Sequence, residues 1–168
     1  MKTGLILTIS LLAFNFLSFA QKSKAKKDMK KWRYEVQAVQ QGHEGTYLVK
    51  VWSYSKKPKI AIEQSKKNAV HGIIFRGVTA SGRVPSQRPL TKNPNLEMEK
   101  IEFFNDFFAD GGKYMKFVNL TGDGSVSARD RIKVGREYKV GVVVSVNVAA
   151  LRKDLESAGI LKSLSSGF

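Results

Sequence analysis

The chain has 168 residues, with 29 lysines and arginines against 14 acids, a formal net charge of +15, two histidines and no cysteine. The absence of cysteine excludes disulfides, zinc-thiolate sites, thiol nucleophiles and a lipid anchor on a cysteine. A body of this size must hold together by its core alone, which is feasible because a domain of about 150 residues buries roughly two thirds of its unfolded surface.

Residues 1–20 read as a cleaved secretory signal peptide: Lys2, an apolar run from Leu5 to Leu17, then Ser18-Phe19-Ala20 before Gln21. A spanning helix would need about 20 apolar residues, and this run is shorter and interrupted by Thr8, Ser10 and Asn15. The expected location is therefore periplasmic or secreted, with no transmembrane segment after processing. Residues 21–31 follow as a basic flexible arm in which Lys22, Lys24, Lys26, Lys27, Lys30 and Lys31 face only Asp28. Such an arm attracts anionic surfaces over about 8 to 10 Å and loses its hold in salt. The alternative is a solvated tail that serves solubility.

Residues 32–164 read as one domain, with 165–168 as a tail. Trp32 to Val39 and Thr46 to Tyr54 alternate with period two, as in an antiparallel hairpin with one face in the core. Ser55 precedes a helix that starts near Pro58 and stops at Gly77, with Ala61, Ser65, Ala69 and Gly72 beside Ile62 and Ile73 on its inward stripe. Val78 to Asn95 is a long connection that holds Arg83, Arg88, Lys92, three prolines and no acid. A structureless loop of that length is uncommon in a compact domain unless it binds something, though a plain flexible excursion fits equally well.

Glu97 to Ala109 has the pattern of an amphipathic helix. Ile101, Phe104 and Phe108, widened by Phe103 and Phe107, line one side, and Glu99, Glu102, Asp106 and Asp110 line the other. The acidic row is either a solvated face or a receiver for a basic surface, including one on a second copy. Lys113 to Asn119 and Val126 to Val134 suggest strands joined by a glycine-rich hairpin turn. Tyr138 to Val146 is the clearest strand, and Asn147 caps a last helix that buries Leu151 and Leu155 and stops at Gly159. The order β-β-α-α-β-β-β-α implies an α+β fold, an antiparallel sheet with helices packed on one face.

The sequence holds few residues in patterns that carry chemistry. His43 falls in a turn and His71 on the first helix, in no metal-ligand pattern, and both read as surface or boundary residues. The serine-hydrolase elbow and the phosphate-cradling glycine loop do not occur. Asn119 to Asp130 follows the spacing of a calcium loop, but with Asn first and Asp last, so a hairpin turn is the better account. Neither a cofactor nor a metal is implied, and no catalytic residues can be named. Binding candidates are the basic residues Arg83, Arg88 and Lys92 of the long loop, Lys24, Lys26 and Lys27 of the arm, and Trp52 and Tyr54 on the hairpin, where rings beside lysines suit stacking on sugars or bases.

The hairpin, the small-residue helix (Ala61, Ser65, Ala69) and the tyrosine-led valine strand running into a helix with Leu151 and Leu155 resemble small envelope domains. These are of the type of the N-terminal domain of flagellar assembly protein T and related outer-membrane lipoproteins, whose folds look like the N-terminal domain of TolB. The resemblance spans roughly Tyr34 to Leu155 and implies a non-enzymatic envelope part that docks on a larger assembly. The chain departs from it in lacking a lipid-anchor cysteine and in carrying the long basic loop. The expectation is thus an exported assembly or binding domain that docks on an acidic protein or envelope surface, with homo-oligomerisation open. A soluble binder of anionic glycan or extracellular nucleic acid is the alternative, and an enzyme with an unrecognised site is the third.

Overall fold

The computed structural model describes residues 32–122 and 125–163. The leader, the arm with Lys24, Lys26 and Lys27, the pair Asp123 and Gly124, and residues 164–168 lie outside the described residues. From Tyr34 onward the chain is one contact unit.

The elements are β1 (Tyr34–Gln41), β2 (Thr46–Ser55), α1 (Pro58–Phe75), α2 (Leu96–Glu99), α3 (Ile101–Phe107), β3 (Val118–Leu120), β4 (Arg131–Val134), β5 (Glu137–Asn147) and α4 (Val148–Ser157). Two 3-10 turns, Lys113–Phe117 and Ala128–Asp130, precede β3 and β4. The fold is α+β, with an antiparallel sheet ordered β1-β2-β5-β3 in which β4 also pairs with β5.

Alternation along three strands builds one apolar face. Val36, Val51 and Val142 stand side by side, as do Ala38, Val49 and Val144, and all six are buried. Helix α1 covers this face with Ala61, Ser65, Ala69 and Ile73, all fully buried. The helix sits close because its stripe is small. A Cβ at Gly72 would come within 2.8 Å of Val36 Cγ2, so only glycine permits this approach to β1. The buried hydroxyls are paired: Asn68 Nδ2 donates to Ser53 Oγ at 2.8 Å, Ser53 and Ser65 lie 3.1 Å apart, and Ser65 Oγ donates to the Ala61 carbonyl.

The C-terminal elements follow the sequence pattern closely. Asn147 Oδ1 accepts from Ala150 N at 2.9 Å, and the carbonyl of Gly45, at the tip of the first hairpin, accepts from Val148 and Ala149. Leu151 and Leu155 are fully buried.

Three segments differ from expectation. The helix expected over 97–109 is two short pieces that change direction at Lys100 (φ −112°, ψ 36°). Its first turn is tied elsewhere, Glu97 to His71 and Glu99 to Asn93, while Phe104, Phe107 and Phe108 are buried as the stripe implied. Lys113–Phe117 coils as a 3-10 turn, which brings Tyr114 and Phe117, three residues apart, to the same inward side. The short strands β3 and β4 do not pair with each other. They lie end to end along β5, opposite Val144–Val146 and Glu137–Val140, so β3 and β4 are not the two arms of a hairpin, and the tight turn is Gly135-Arg136 between β4 and β5.

The 78–95 connection is also not structureless. Thr79 lies parallel to Gln37 on the outer edge of β1, where Ala38 N donates to Thr79 O at 2.9 Å and Thr79 Oγ1 donates to the Val36 carbonyl at 2.7 Å. Val78 pairs with Gln87, and Leu90 N and Thr91 N donate to the carbonyls of Ile73 and Ile74, which the helix end leaves open.

Candidate binding surfaces

One face of the sheet is covered by α1; the opposite face carries the side chains that alternate with the valines. Glu35, Trp52 and Gly141 stand in register there, as do Tyr54, Lys139 and Ile132. Gly141 makes room for the indole, since a Cβ at that position would lie 2.9 Å from Trp52 Cζ3. Two ammonium groups flank the ring, Lys50 Nζ at 4.8 Å and Lys139 Nζ at 5.1 Å from its centroid, and Lys139 is also 5.6 Å from the Tyr54 ring. Trp52 Nε1 donates to Gln37 Oε1 at 3.4 Å. Trp52 and Tyr54 thus meet on a half-exposed tray rimmed by cations.

Both lysines of the tray already have a carboxylate. Lys50 Nζ sits 2.5 Å from Asp130 Oδ1, and Lys139 Nζ donates to both Glu35 oxygens at 2.8 and 3.0 Å. The bond from Lys139 holds the Glu35 carboxyl below its ordinary value, with partial burial opposing and the Lys139 charge and Tyr54 hydroxyl adding to the effect. The same bond raises Lys139. Because Asp130 is turned to Lys50, the calcium-loop spacing brings its last candidate ligand to an ammonium group. Among the described residues no group of three or more metal-ligating side chains occurs.

The loop cations do not join the tray as a group. Arg88 lines an open cleft of about 400 Å³ with Tyr34, Glu35, Arg76, Thr79 and Gln87, so Glu35 borders both cleft and tray. Arg83 and Lys92 are exposed and line neither.

A set of cations absent from the sequence candidates stands out instead. Arg129, Arg131, Lys133 and Arg136 are all exposed on or beside the β4–β5 hairpin, and among the described residues none of them is within ion-pair distance of a carboxylate. Arg131 packs its guanidinium over the Tyr138 ring at 5.3 Å. The signal was present in the sequence as alternating cations around Gly135, but a long strand over 126–134 hid its place at a sheet edge.

His71 is the second departure, for it is only 2 % exposed. Tyr34 and His71 Nδ1 are 2.5 Å apart, and His71 Nε2 lies 3.1 and 3.2 Å from the Glu97 oxygens. A carboxylate only accepts, so Nε2 carries the hydrogen and Nδ1 accepts from the phenol. Burial lowers the His71 pKa against the opposing pull of Glu97, with Arg76 assisting, and burial also pushes the Tyr34 phenol well up. The chain of three ties β1, α1 and α2 together, with the Arg76 guanidinium 4.3 Å from the Tyr34 ring centre.

Among the described residues no helix is long and apolar enough to cross a membrane. Comparison with protein-family models, curated proteins and solved structures gives no significant match, so the reading of this chain rests on its own residues.

Proposed function

We propose that this protein is an exported, non-enzymatic cell-envelope assembly or binding domain that docks on an acidic protein or envelope surface. The observation that carries the reading is the uneven neutralisation of charge: the tray lysines have carboxylate partners within the domain, whereas Arg129, Arg131, Lys133 and Arg136 have none within ion-pair distance among the described residues. A cluster of that kind raises the encounter rate with an anionic partner and gives it orientation, and it does so in a salt-dependent way. The arm lysines Lys24, Lys26 and Lys27 and the loop residues Arg83, Arg88 and Lys92 add to the chain's positive charge. The likeness of the element order to small envelope domains of the flagellar assembly protein T and TolB type points the same way.

The test replaces Arg129, Arg131, Lys133 and Arg136 together by glutamine and follows retention in the envelope fraction at low and high salt. Retention should fall at low salt and match that of the parent protein at high salt. Unchanged retention at low salt would sink the reading.

A second reading, a soluble binder of anionic glycan or extracellular nucleic acid, draws on the tray, where a ring flanked by two ammonium groups faces outward on the open side of the sheet. Salt-dependent binding to such a polymer with loss on Trp52→Ala would favour it, because a stacked base or sugar contributes about 1 to 3 kcal/mol.

A further inference from the structure

We propose that the free edge of β4 accepts a peptide strand of alternating acidic and apolar residues, an inference that rests on the docking reading above and names the segment the acidic partner presents. β4 and β5 are joined by the two-residue turn Gly135-Arg136, with Val134 opposite Glu137 and Ile132 opposite Lys139. In such a hairpin the pair beside the turn, and every second pair beyond it, exchange both main-chain hydrogen bonds. Ile132 and Val134 therefore spend their main-chain groups on β5. The N–H and C=O of Arg131 and Lys133 point away from the sheet, and among the described residues β4 has no strand partner other than β5.

The side chains define what fits. Arg131 and Lys133 lie on one side of the edge, and Ile132 and Val134, 46 % and 42 % exposed, lie on the other. An added strand with carboxylates beside the cations and aliphatic groups beside Ile132 and Val134 matches both sides at once, the pockets-and-ladder arrangement of strand addition. On the aliphatic side it would also extend the row formed by Tyr54, Lys139 and Ile132.

The other occupants fit less well. A second copy of β4 would set arginine and lysine against arginine and lysine. The edge of β1 is taken by Thr79, and β3 is only three residues long. Short basic edges also discourage pairing between copies, and the charge that repels a basic strand attracts an acidic one.

The probe is an eight-residue peptide alternating glutamate and valine, titrated into the protein at low salt and followed by amide NMR. Two variants separate charge from main chain: Lys133→Gln removes the cation only, and Lys133→Pro also removes the outward N–H while leaving the bonds to β5 in place. Binding should be about tenfold weaker in Lys133→Pro than in Lys133→Gln, the loss expected for main-chain hydrogen bonding. In the unaltered protein the Arg131 and Lys133 amides should exchange more slowly when peptide is bound. A peptide N-methylated at every second residue, on the side that would face β4, should not bind, and this control needs no variant to fold. No binding of the unmodified peptide, or equal binding by both variants without protection of the two amides, overturns the proposal. Envelope retention that falls in the fourfold glutamine variant but persists in Lys133→Pro overturns strand addition and leaves the docking reading intact.

Discussion

The indole of Trp52 rests on Gly141, its partner in the neighbouring strand, with room for no Cβ between them. Alanine in a strand interior normally gains about 0.5 to 1 kcal/mol over glycine. Here the added methyl group would lie 2.9 Å from both Trp52 Cζ3 and Lys50 Cε, and overpacking of this kind costs about 1 to 3 kcal/mol. Gly141→Ala should therefore be net destabilising in urea unfolding and should shift the Trp52 indole N–H resonance. An unchanged resonance would mean that the ring does not lie on the glycine.

Stability should decline as pH falls below about 6.5. His71 is lowered in the folded state by burial, with Glu97 opposing and Arg76 assisting, so below the ordinary histidine value the unfolded chain binds a proton that the folded domain refuses. The contribution is complete above that value and is lost as pH drops toward the folded pKa. The groups that face the ring are Tyr34, Glu97 and Arg76. Urea midpoints measured between pH 7.5 and 5.5 should fall for the parent protein and fall less for His71→Gln. A further loss near and below pH 4.5 would come from Glu35, which is lowered chiefly by its bond to Lys139.

Ser53→Ala should cost about 1 to 3 kcal/mol, far more than the loss of one exposed hydroxyl, because it removes the acceptor of the buried Asn68 amide. Replacing Ser53 and Asn68 together by apolar residues of similar size should recover part of that loss. Chemical denaturation of the two single variants and the double variant supplies the cycle that checks it.

Glu35→Gln should change stability by less than about 1 kcal/mol, as befits an exposed ion pair. It leaves Lys139 beside the Trp52 ring without its neutralising carboxylate. If anionic glycan or nucleic acid is the ligand of the tray, affinity should rise several-fold in this variant, and titration calorimetry at fixed salt reads the change. Unaltered affinity would detach the tray from any polyanion that binds the protein.

Much of the architecture was legible because it rests on local rules. Alternation fixed the inward residues of β1, β2 and β5, the small stripe of α1 marked its close approach, and Asn147 and Gly77 marked helix ends. Short strands obey a longer-range rule. What β3 and β4 pair with is decided by β5, and nothing within 113–134 says that they share one edge of it.

The sites divided in the same way. Trp52 and Tyr54 could be placed on one surface from periodicity alone. His71 could not be placed in the interior, since its burial depends on Tyr34, 37 positions earlier, and Glu97, 26 positions later. The long basic loop looked free because its tethers are main-chain bonds from Thr79, Leu90 and Thr91, which leave no trace in side-chain pattern.

The sheet has its keystone near the end of the chain. β5 lies between β2 and the two short strands, yet it follows all of them in the order of synthesis. The first hairpin must wait through α1 and the aromatic segment before its neighbour exists, and distant pairings of this sort close slowly. Until β5 is made, β2 and the two short strands lack the strand that joins them, so the sheet can close only after nearly all of the described domain has left the ribosome.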